Sequence, residues 1–359
     1  MQLKYGRQLE ENFKLRNQVE LKESLATKWQ APSNIALVKY WGKYGMQLPA
    51  NPSISFTLNA CRTITNVKAT KGQPGFSISY DGIVKPEFAP KIQAYLERIV
   101  DYCPWTAHYF FEIDTHNTFP HSSGIASSAS SMAALSACMM DFESELTATP
   151  LDYHKMSFLS RLGSGSACRS LQGAAVLWGE HKDTADSSNF YGVDKSDLLH
   201  PVFQDFQDSI LLVDKGEKVV SSSVGHDLMN GHAFAQARFE QAQENLTTLK
   251  KALQEGDLET FIKITESEAL TLHAMMMTSQ PYFILMKPHT LSIIEEIWAF
   301  RKETQIPVCF TLDAGANVHM LYPSNHKTAV DVLINNKLTR YCQNSHYICD
   351  EIGAGAKKC

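Results

Sequence analysis

Residues 125–137, Ile-Ala-Ser-Ser-Ala-Ser-Ser-Met-Ala-Ala-Leu-Ser-Ala, are small or apolar on every side of a helical wheel. A helix without a polar stripe has to be buried, so other elements must enclose it. It is opened by Gly124 within Pro120-His-Ser-Ser-Gly-Ile-Ala-Ser-Ser-Ala129. That glycine-serine turn leaves backbone amides at a helix N-terminus, where the helix dipole favours negative charge. A second such turn is Arg161-Leu-Gly-Ser-Gly-Ser-Ala-Cys-Arg-Ser170. There Gly163 and Gly165 allow close approach of the backbone to a ligand, Ser164 and Ser166 add hydroxyls, and Arg169 offers a planar fork for carboxylate or phosphate. Two anion sites imply two anionic ligands, or one with charge at both ends. Each turn alone also serves as a plain helix cap. Neither is a Walker A loop, because no Gly-Lys-Ser/Thr follows, and Cys168 stands where a dinucleotide fingerprint needs a third glycine.

Three more segments carry chemistry. Ala31-Pro-Ser-Asn-Ile-Ala-Leu-Val-Lys-Tyr-Trp-Gly-Lys43 sets Lys39, Tyr40 and Lys43 after an apolar strand. Lysine binds phosphate as a point charge, although two solvated lysines at a strand end are the plainer reading. Asp313, in Thr311-Leu-Asp-Ala-Gly-Ala-Asn317, follows another apolar strand among residues too small to shield it. It is placed to orient a hydroxyl or accept its proton, or else to form an Asx-turn. Ser221, Ser222 and Ser223 make a polar run whose default is a solvated loop. No pair among the 13 histidines has zinc-site spacing, and no metal ligands are assigned.

With 359 residues the chain exceeds what one core usually supports, and two domains are expected, at 29–204 and 205–359, after a leader at 1–28. The leader lacks the apolar run of a signal peptide or membrane span; its Leu9, Phe13, Leu15 and Val19 fit a docked helix or a solvated tail. Strands are expected at 35–38, 54–58, 63–69, 76–80, 108–116, 174–178, 209–214, 308–312 and 319–322. Helices are expected at 90–101, after Gly124, and at 151–162, 227–255, 258–276, 291–303 and 327–335. Residues 181–200 read as a connection or an active-site loop. The mixture without strict alternation is α+β. A net charge of −5 argues against nucleic acid and anionic membranes as partners. Eight scattered cysteines without a Cys-x-x-Cys fit reduced thiols in the cytoplasm.

Taken together, the motifs 34–43, 163–170 and 312–315 resemble the mevalonate diphosphate decarboxylase family of the GHMP kinase superfamily, in order and spacing, over residues 31–322. The resemblance implies a two-domain GHMP kinase fold, with an N-terminal domain like ribosomal protein S5 domain 2 and a ferredoxin-like C-terminal domain. It implies a homodimeric, cytoplasmic enzyme of isoprenoid biosynthesis that uses ATP and Mg2+ to phosphorylate the 3-hydroxyl of mevalonate 5-diphosphate and release phosphate, CO2 and isopentenyl diphosphate. Carried onto this sequence, Asp313 contacts that hydroxyl, Arg169 pairs with the substrate carboxylate, and Lys39 and Asn34 line the same cleft. Tyr40, Lys43, Ser164 and Ser166 hold the diphosphate, and Gly124, Ser127, Ser128 and Ser222 lie near the ATP phosphates. Ser223 stands where some relatives carry a basic residue. A phosphomevalonate decarboxylase, a mevalonate-type kinase that stops at phosphorylation, and a silent binding protein on the same scaffold remain as alternatives.

Overall fold

Two long antiparallel strands form the spine of the N-terminal half: β1 (Ser24–Val38) and β4 (Ser53–Lys71), paired from Ser24 opposite Thr70 to Val38 opposite Ile54. The computed structural model describes residues 10–120, 125–216 and 222–359, the side chains of residues 222 and 223 excepted. Along the first part of β1, Leu25, Thr27, Trp29 and Ala31 are buried in alternation; from Ala31 to Lys39 every residue is buried. This is the pattern of a strand covered on one face that becomes covered on both. Its register shifts between Pro32 and Asn34 and again between Ala36 and Val38. Pro32 lacks the ladder N–H and sits where the pairing is irregular.

Between these strands lies a small hairpin, β2 (Lys43–Tyr44) with β3 (Leu48–Pro49). The remaining strands of the large sheet are β5 (Gly75–Tyr80), β6 (Ile83–Val84), β7 (Tyr109–Asn117), β8 (Ala175–Trp178), β9 (Val193–Asp194) and, at the C-terminus, β14 (Lys357–Lys358). Their order is β14-β1-β4-β7-β5-β6, with β8 pairing the first residues of β4 and β9 pairing β8. Among the described residues only β5 and β7 pair in parallel. Helices α1 (Ala89–Ile99), α2 (Ser127–Thr147) and α3 (Tyr153–Gly163) pack with this sheet in one core. As its composition requires, α2 is buried around most of its circumference, from Ala129 through Leu146.

The C-terminal half is a second antiparallel sheet, of β10 (Gln207–Leu211), β11 (Cys309–Thr311), β12 (Val318–Tyr322) and β13 (Tyr347–Glu351), in the order β11-β12-β10-β13. With it go α4 (Ser222–Asp227), α5 (Ala235–Glu255), α6 (Leu258–Met277), α7 (Pro288–Thr304) and α8 (Lys327–Leu333). Strand alternation divides its side chains. Ile210, Cys309 and Leu321 join a core that also holds Ile35, Leu37 and Phe56 of the N-terminal strands, while Leu211, Phe310, Val318 and Met320 face a core with α7 and α8. The Phe56 and Phe261 rings stack across the junction, 6.1 Å apart. The two halves therefore share apolar interior.

The α+β class expected from the sequence is the one observed. Several boundaries differ. Residues 24–28, assigned to the leader, are the first part of β1. In the described part of the leader Glu10 is helical and Glu11–Phe13 form a 3-10 turn that places Phe13 in the core, stacked on Phe158 at 4.3 Å; residues 14–23 then run without regular secondary structure, and Leu9 lies outside the described residues. The strands expected at 54–58 and 63–69 are one element, β4; polar Asn59 and Arg62 lie at the register irregularity opposite Pro32–Asn34, which does not end the strand. The helix expected at 227–255 is broken between α4 and α5, where Gly231 takes a φ of 75°. The C-terminal tail returns to the first sheet, Trp29 pairing with Lys358. Among the described residues no helix is long and apolar enough to cross a membrane.

Candidate active site

One cavity of about 630 Å³ opens between the halves. It is lined by Lys39, Tyr40 and Lys43 from the end of β1, Ser127 and Ser128 from the start of α2, Ser164, Ser166 and Arg169 from the turn after α3, and Asp313 from the turn after β11. Residues more than two hundred positions apart in sequence meet because β1, α2 and the turn after α3 adjoin within the first sheet's layer, and β11 is brought against the end of β1. The two glycine-serine turns touch: the hydroxyls of Ser128 and Ser164 lie 3.3 Å apart, sharing a hydrogen bond. They form one polar wall rather than two separate sites.

Gly163 and Gly165 serve packing. A Cβ on Gly163 would fall 2.6 Å from the Met132 sulfur, and one on Gly165 would fall 3.0 Å from the Tyr40 hydroxyl and 2.9 Å from Trp178. Neither takes a positive φ. The sequence expectation that these glycines let a ligand approach is thus extended: they also let Tyr40, Trp178 and Met132 close around the turn.

Arg169 is 3% exposed. Its Nη1 donates to the Ser53 hydroxyl, its Nε donates to Asn34 Oδ1 at 3.5 Å, and its guanidinium lies 5.7 Å from the Trp178 ring. Asn34 in turn donates to Ser170 Oγ at 2.8 Å and to the Ser166 carbonyl at 3.3 Å. Here the sequence reading needs correction. Asn34 is not among the residues that line the cavity; it is buried behind Arg169, its Oδ1 accepting from the guanidinium. Burial pulls the Arg169 guanidinium below its ordinary value, opposed by the nearby Cys168, Asp313 and Tyr40.

Lys39 donates from Nζ to Asp313 Oδ1 at 3.2 Å. The lysine side chain is 2% exposed and that of Asp313 27%, so the carboxylate is the partner that faces the cavity. Burial pulls the Lys39 ammonium down, and Asp313 partly holds it up. The backbone here is fixed from behind. Lys39 N–H donates to Glu268 Oε2 at 2.8 Å; Glu268, with no exposed side chain, is gripped by Arg238 at 2.5 Å and by Asn245 at 2.6 Å. Arg238 also donates to the Lys39 carbonyl at 3.2 Å, and Asn51 does so at 2.9 Å. On the other side of Asp313, His273 Nε2 donates to the Asp313 carbonyl at 3.1 Å.

Ser222 begins α4, and nothing is described of its side chain; Gly124 lies outside the described residues. The run at 221–223 was expected as loop, but its last two residues are helical. No residue of 181–200 is among those lining the cavity. Sequence reasoning missed the apolar end of the cavity, where Ile78, Tyr80, Phe88, Ile92, Met132 and Leu135 gather. The only available signal, the apolar face of α1, reads equally as core. It also missed His226, Leu272 and Ala314. A broader depression of about 850 Å³ between α6 and α7 contains none of the predicted residues.

Comparison with known proteins agrees with this geometry. A family model described as the diphosphomevalonate decarboxylase-like N-terminal domain matches residues 31–189, and one described as the mevalonate 5-diphosphate decarboxylase C-terminal domain matches residues 209–354. A diphosphomevalonate decarboxylase of Gibberella zeae is 31% identical over 81% of this chain and 79% of its own. The chain belongs to the diphosphomevalonate decarboxylase family. It is an enzyme of that type, with the family's GHMP kinase fold. The mevalonate diphosphate decarboxylase of Staphylococcus aureus superposes with a TM-score of 0.81 at 27% identity, covering 94% of this chain and 98% of that one. A relative solved with MVAPP, AMPPCP and magnesium superposes with a TM-score of 0.80 at 26% identity, covering 94% and 99%.

A magnesium ion fits such a decarboxylase cavity in one way. Among the described residues no cluster of three His, Cys, Asp or Glu side chains converges. Mg2+ commonly keeps several waters and is held by one or two carboxylates with substrate phosphates. Asp313 and the Ser127 and Ser128 hydroxyls line the cavity and would be protein groups able to join such a shell.

Two outcomes follow from the buried framework. Arg238→Met leaves the Glu268 carboxylate without its cation and lowers unfolding stability by about 3–5 kcal/mol in urea titration, whereas the Arg238→Met, Glu268→Met double variant recovers a large part of that loss. Burial also holds His273 at about 4, below its ordinary 6.5. Between those values the unfolded chain binds the proton and the folded one does not, so this group's contribution to stability is complete above pH 6.5 and declines as pH falls toward 4. In thermal unfolding across that window, His273→Gln, which keeps a donor for the Asp313 carbonyl, gives a shallower pH slope than the parent.

Proposed function

We propose that this chain converts mevalonate 5-diphosphate and ATP to isopentenyl diphosphate, ADP, phosphate and CO2, with the residue roles given below. The observation that carries this reading is the shared cavity in which Asp313 faces Arg169 beside two serine-lined turns. A hydroxyl acid with a phosphorylated tail needs those three features: a group for the alcohol, a fork for the carboxylate and donors for phosphate.

The 3-hydroxyl attacks the terminal phosphorus of ATP; the bond from that phosphorus to the ADP oxygen breaks, and ADP leaves. Asp313 orients the hydroxyl and accepts its proton. The C3–O bond of the resulting ester then breaks with its electrons going to phosphate, and the C1–C2 bond gives its pair to form the C2=C3 alkene as CO2 departs. Charge builds up at a tertiary carbon between departing anions, so fixed dipoles and charges do the work and no covalent nucleophile is needed. Lys39 holds the Asp313 carboxylate in place. Arg169, oriented by Asn34 and Ser53, grips the carboxylate that is lost. Tyr40, Lys43, Ser164 and Ser166 receive the diphosphate, and Ser127 and Ser128 receive the ATP phosphates at the N-terminus of the 21-residue α2. Gly124 and Ser222 belong to the same phosphate region in this reading. The apolar end of the cavity takes the nucleotide base. Magnesium, when bound, neutralises charge on the phosphates.

The same reading divides the chain into units near 29–204 and 205–359 and makes it a cytoplasmic homodimer. The cytoplasm is supported by eight unpaired cysteines, six of them buried. Parallel assay of ADP and CO2 with mevalonate 5-diphosphate and 5-phosphate tests the reaction: stoichiometric CO2 and ADP from the diphosphate is expected, and ADP without CO2 identifies a kinase.

Asp313→Asn lowers kcat by about two to four orders of magnitude while the affinities for ATP and substrate, measured by calorimetry, stay near those of the parent. Arg169→Lys keeps the charge but loses the fork, and kcat/KM for the diphosphate falls by about tenfold or more in steady-state kinetics.

A further inference from the structure

His226 has no part in the roles above, yet it lines the cavity with Tyr40, Lys43 and Arg169 and is only 8% exposed. The backbone N–H of Gly42 donates to its Nδ1 at 3.0 Å. A backbone amide can only donate, so Nδ1 carries no proton, and a neutral ring must hold its proton on Nε2. With Nδ1 taken up by Gly42, Nε2 is not among the buried atoms sealed without a partner, so it is the ring nitrogen open to solvent on the residue's cavity side. Among the described residues Nε2 has no hydrogen-bond partner.

The ring cannot turn freely. It lies 4.1 Å from the Tyr40 ring and 4.7 Å from the Trp41 ring. The Gly42 amide is fixed as well: its φ is 96°, and a Cβ there would fall 2.9 Å from the Phe239 ring. Burial pulls His226 to about 3, with the cations Lys43 and Arg169 acting in the same direction. Two other titratable groups stand close. Asp227 pairs with Lys43 at 3.9 Å, and the Tyr40 phenol is pushed well up by burial. The result is a rigid, neutral donor, nine-tenths buried, pointing into a cavity walled by cations.

We propose that His226 is a specificity residue whose Nε2–H donates to an oxygen of the terminal phosphate of the bound substrate, beside Lys43, and so favours a diphosphate over a monophosphate. This rests on the reaction proposed above. The diphosphate is the group in reach because Tyr40 and Lys43, which flank Gly42 in sequence and line the cavity beside His226, are its assigned holders. A neutral donor suits this place: it adds a directed hydrogen bond to a phosphate without adding to the charge that already surrounds it.

The test compares wild type, His226→Asn and His226→Gln. Asparagine can still accept from Gly42 but is too short to reach as Nε2 does; glutamine restores a donor near the Nε2 position. Expected are a KM for mevalonate 5-diphosphate raised about tenfold or more in the asparagine variant, the size of one hydrogen bond to a charged group, and a partial return in the glutamine variant. KM for ATP, kcat and the inhibition constant of mevalonate 5-phosphate stay within about twofold. A KM within about twofold of wild type for His226→Asn, or equal losses for both phosphates, overturns the proposal. Isotope-labelled histidine NMR on the wild-type enzyme gives a readout independent of turnover. A His226 signal in the Nε2–H form, unchanged between pH 5.5 and 8 and shifted by mevalonate 5-diphosphate, supports the inference, and titration in that range overturns it. Failure of the wild type to release CO2 from the diphosphate would sink the functional reading and this inference with it, whereas normal turnover with an indifferent His226 sinks the inference alone.

Discussion

The buried Glu268 carboxylate is the point on which the geometry of the site depends. Two charges taken out of water repel the fold unless their hydrogen bonds are filled. Here Arg238 takes both carboxylate oxygens, Asn245 takes one, and the remaining donor is the backbone N–H of Lys39. The pair therefore does more than satisfy itself. It ties the end of β1, which belongs to the first sheet, to α5 and α6 of the second half. Lys39 cannot shift without leaving a buried carboxylate short of a donor, and Lys39 is the residue that meets Asp313. An ion pair with no contact to the cavity thus sets the position of the cavity's carboxylate.

A second framework acts on Arg169. Ser53 and Asn34 hold the guanidinium from one edge, and Trp178 lies close to it. Ser53 opens β4, Asn34 sits at the irregularity of β1, and Trp178 ends β8, so three strands of one sheet fix one side chain. A fork held by strands keeps its geometry better than one carried on a loop, which matters where both of its arms must meet one carboxylate. Arg169 ends a short 3-10 turn, Gly165–Arg169, which is closed over by Tyr40 and Trp178 through the missing Cβ of Gly165.

The legible part of this molecule was the part written in local composition. The small-residue surface of α2 required burial, and the glycine-serine turns, the lysines after β1 and the aspartate after β11 each announced polar chemistry at the end of an apolar element. What local pattern could not convey was which faces meet. Asn34 reads as a cleft residue because it is polar and precedes Lys39; its partners, Arg169, Ser166 and Ser170, lie some 130 residues away and are brought to it only by the fold. Ile92 and Leu135 read as core because an apolar face looks the same whether it packs on protein or borders a ligand slot. The opening of β1 was hidden by Pro32 and by the half-polar alternation of residues 24–30, and β4 was cut in two by polar Asn59 and Arg62, on either side of which it still pairs with β1. His226 gave no signal at all. Its meaning depends on an amide at Gly42 and two aromatic rings supplied from 184 and more residues away.

The charges around the cavity explain why it should bind anions firmly yet choose among them. Lys39 and Arg169 are both pulled down by burial, which means that the empty protein pays to keep them ionised. Asp313 compensates Lys39 in part, but the balance of cation over anion remains, with Lys43 at the rim. An arriving phosphate or carboxylate supplies the missing counter-charge without reorganising the protein, because the partners are already held by strands and by Glu268. Such attraction is strong and poorly selective, since any anion relieves it. Selectivity must then come from groups that add direction rather than charge. The Ser128 and Ser164 hydroxyls, the Tyr40 phenol and the uncharged His226 ring are of that kind, and each sits against the wall where a cation alone would hold a phosphate in many orientations. The division of labour between buried cations that attract and neutral donors that orient is what lets one small cavity hold two polyanions in register for transfer between them.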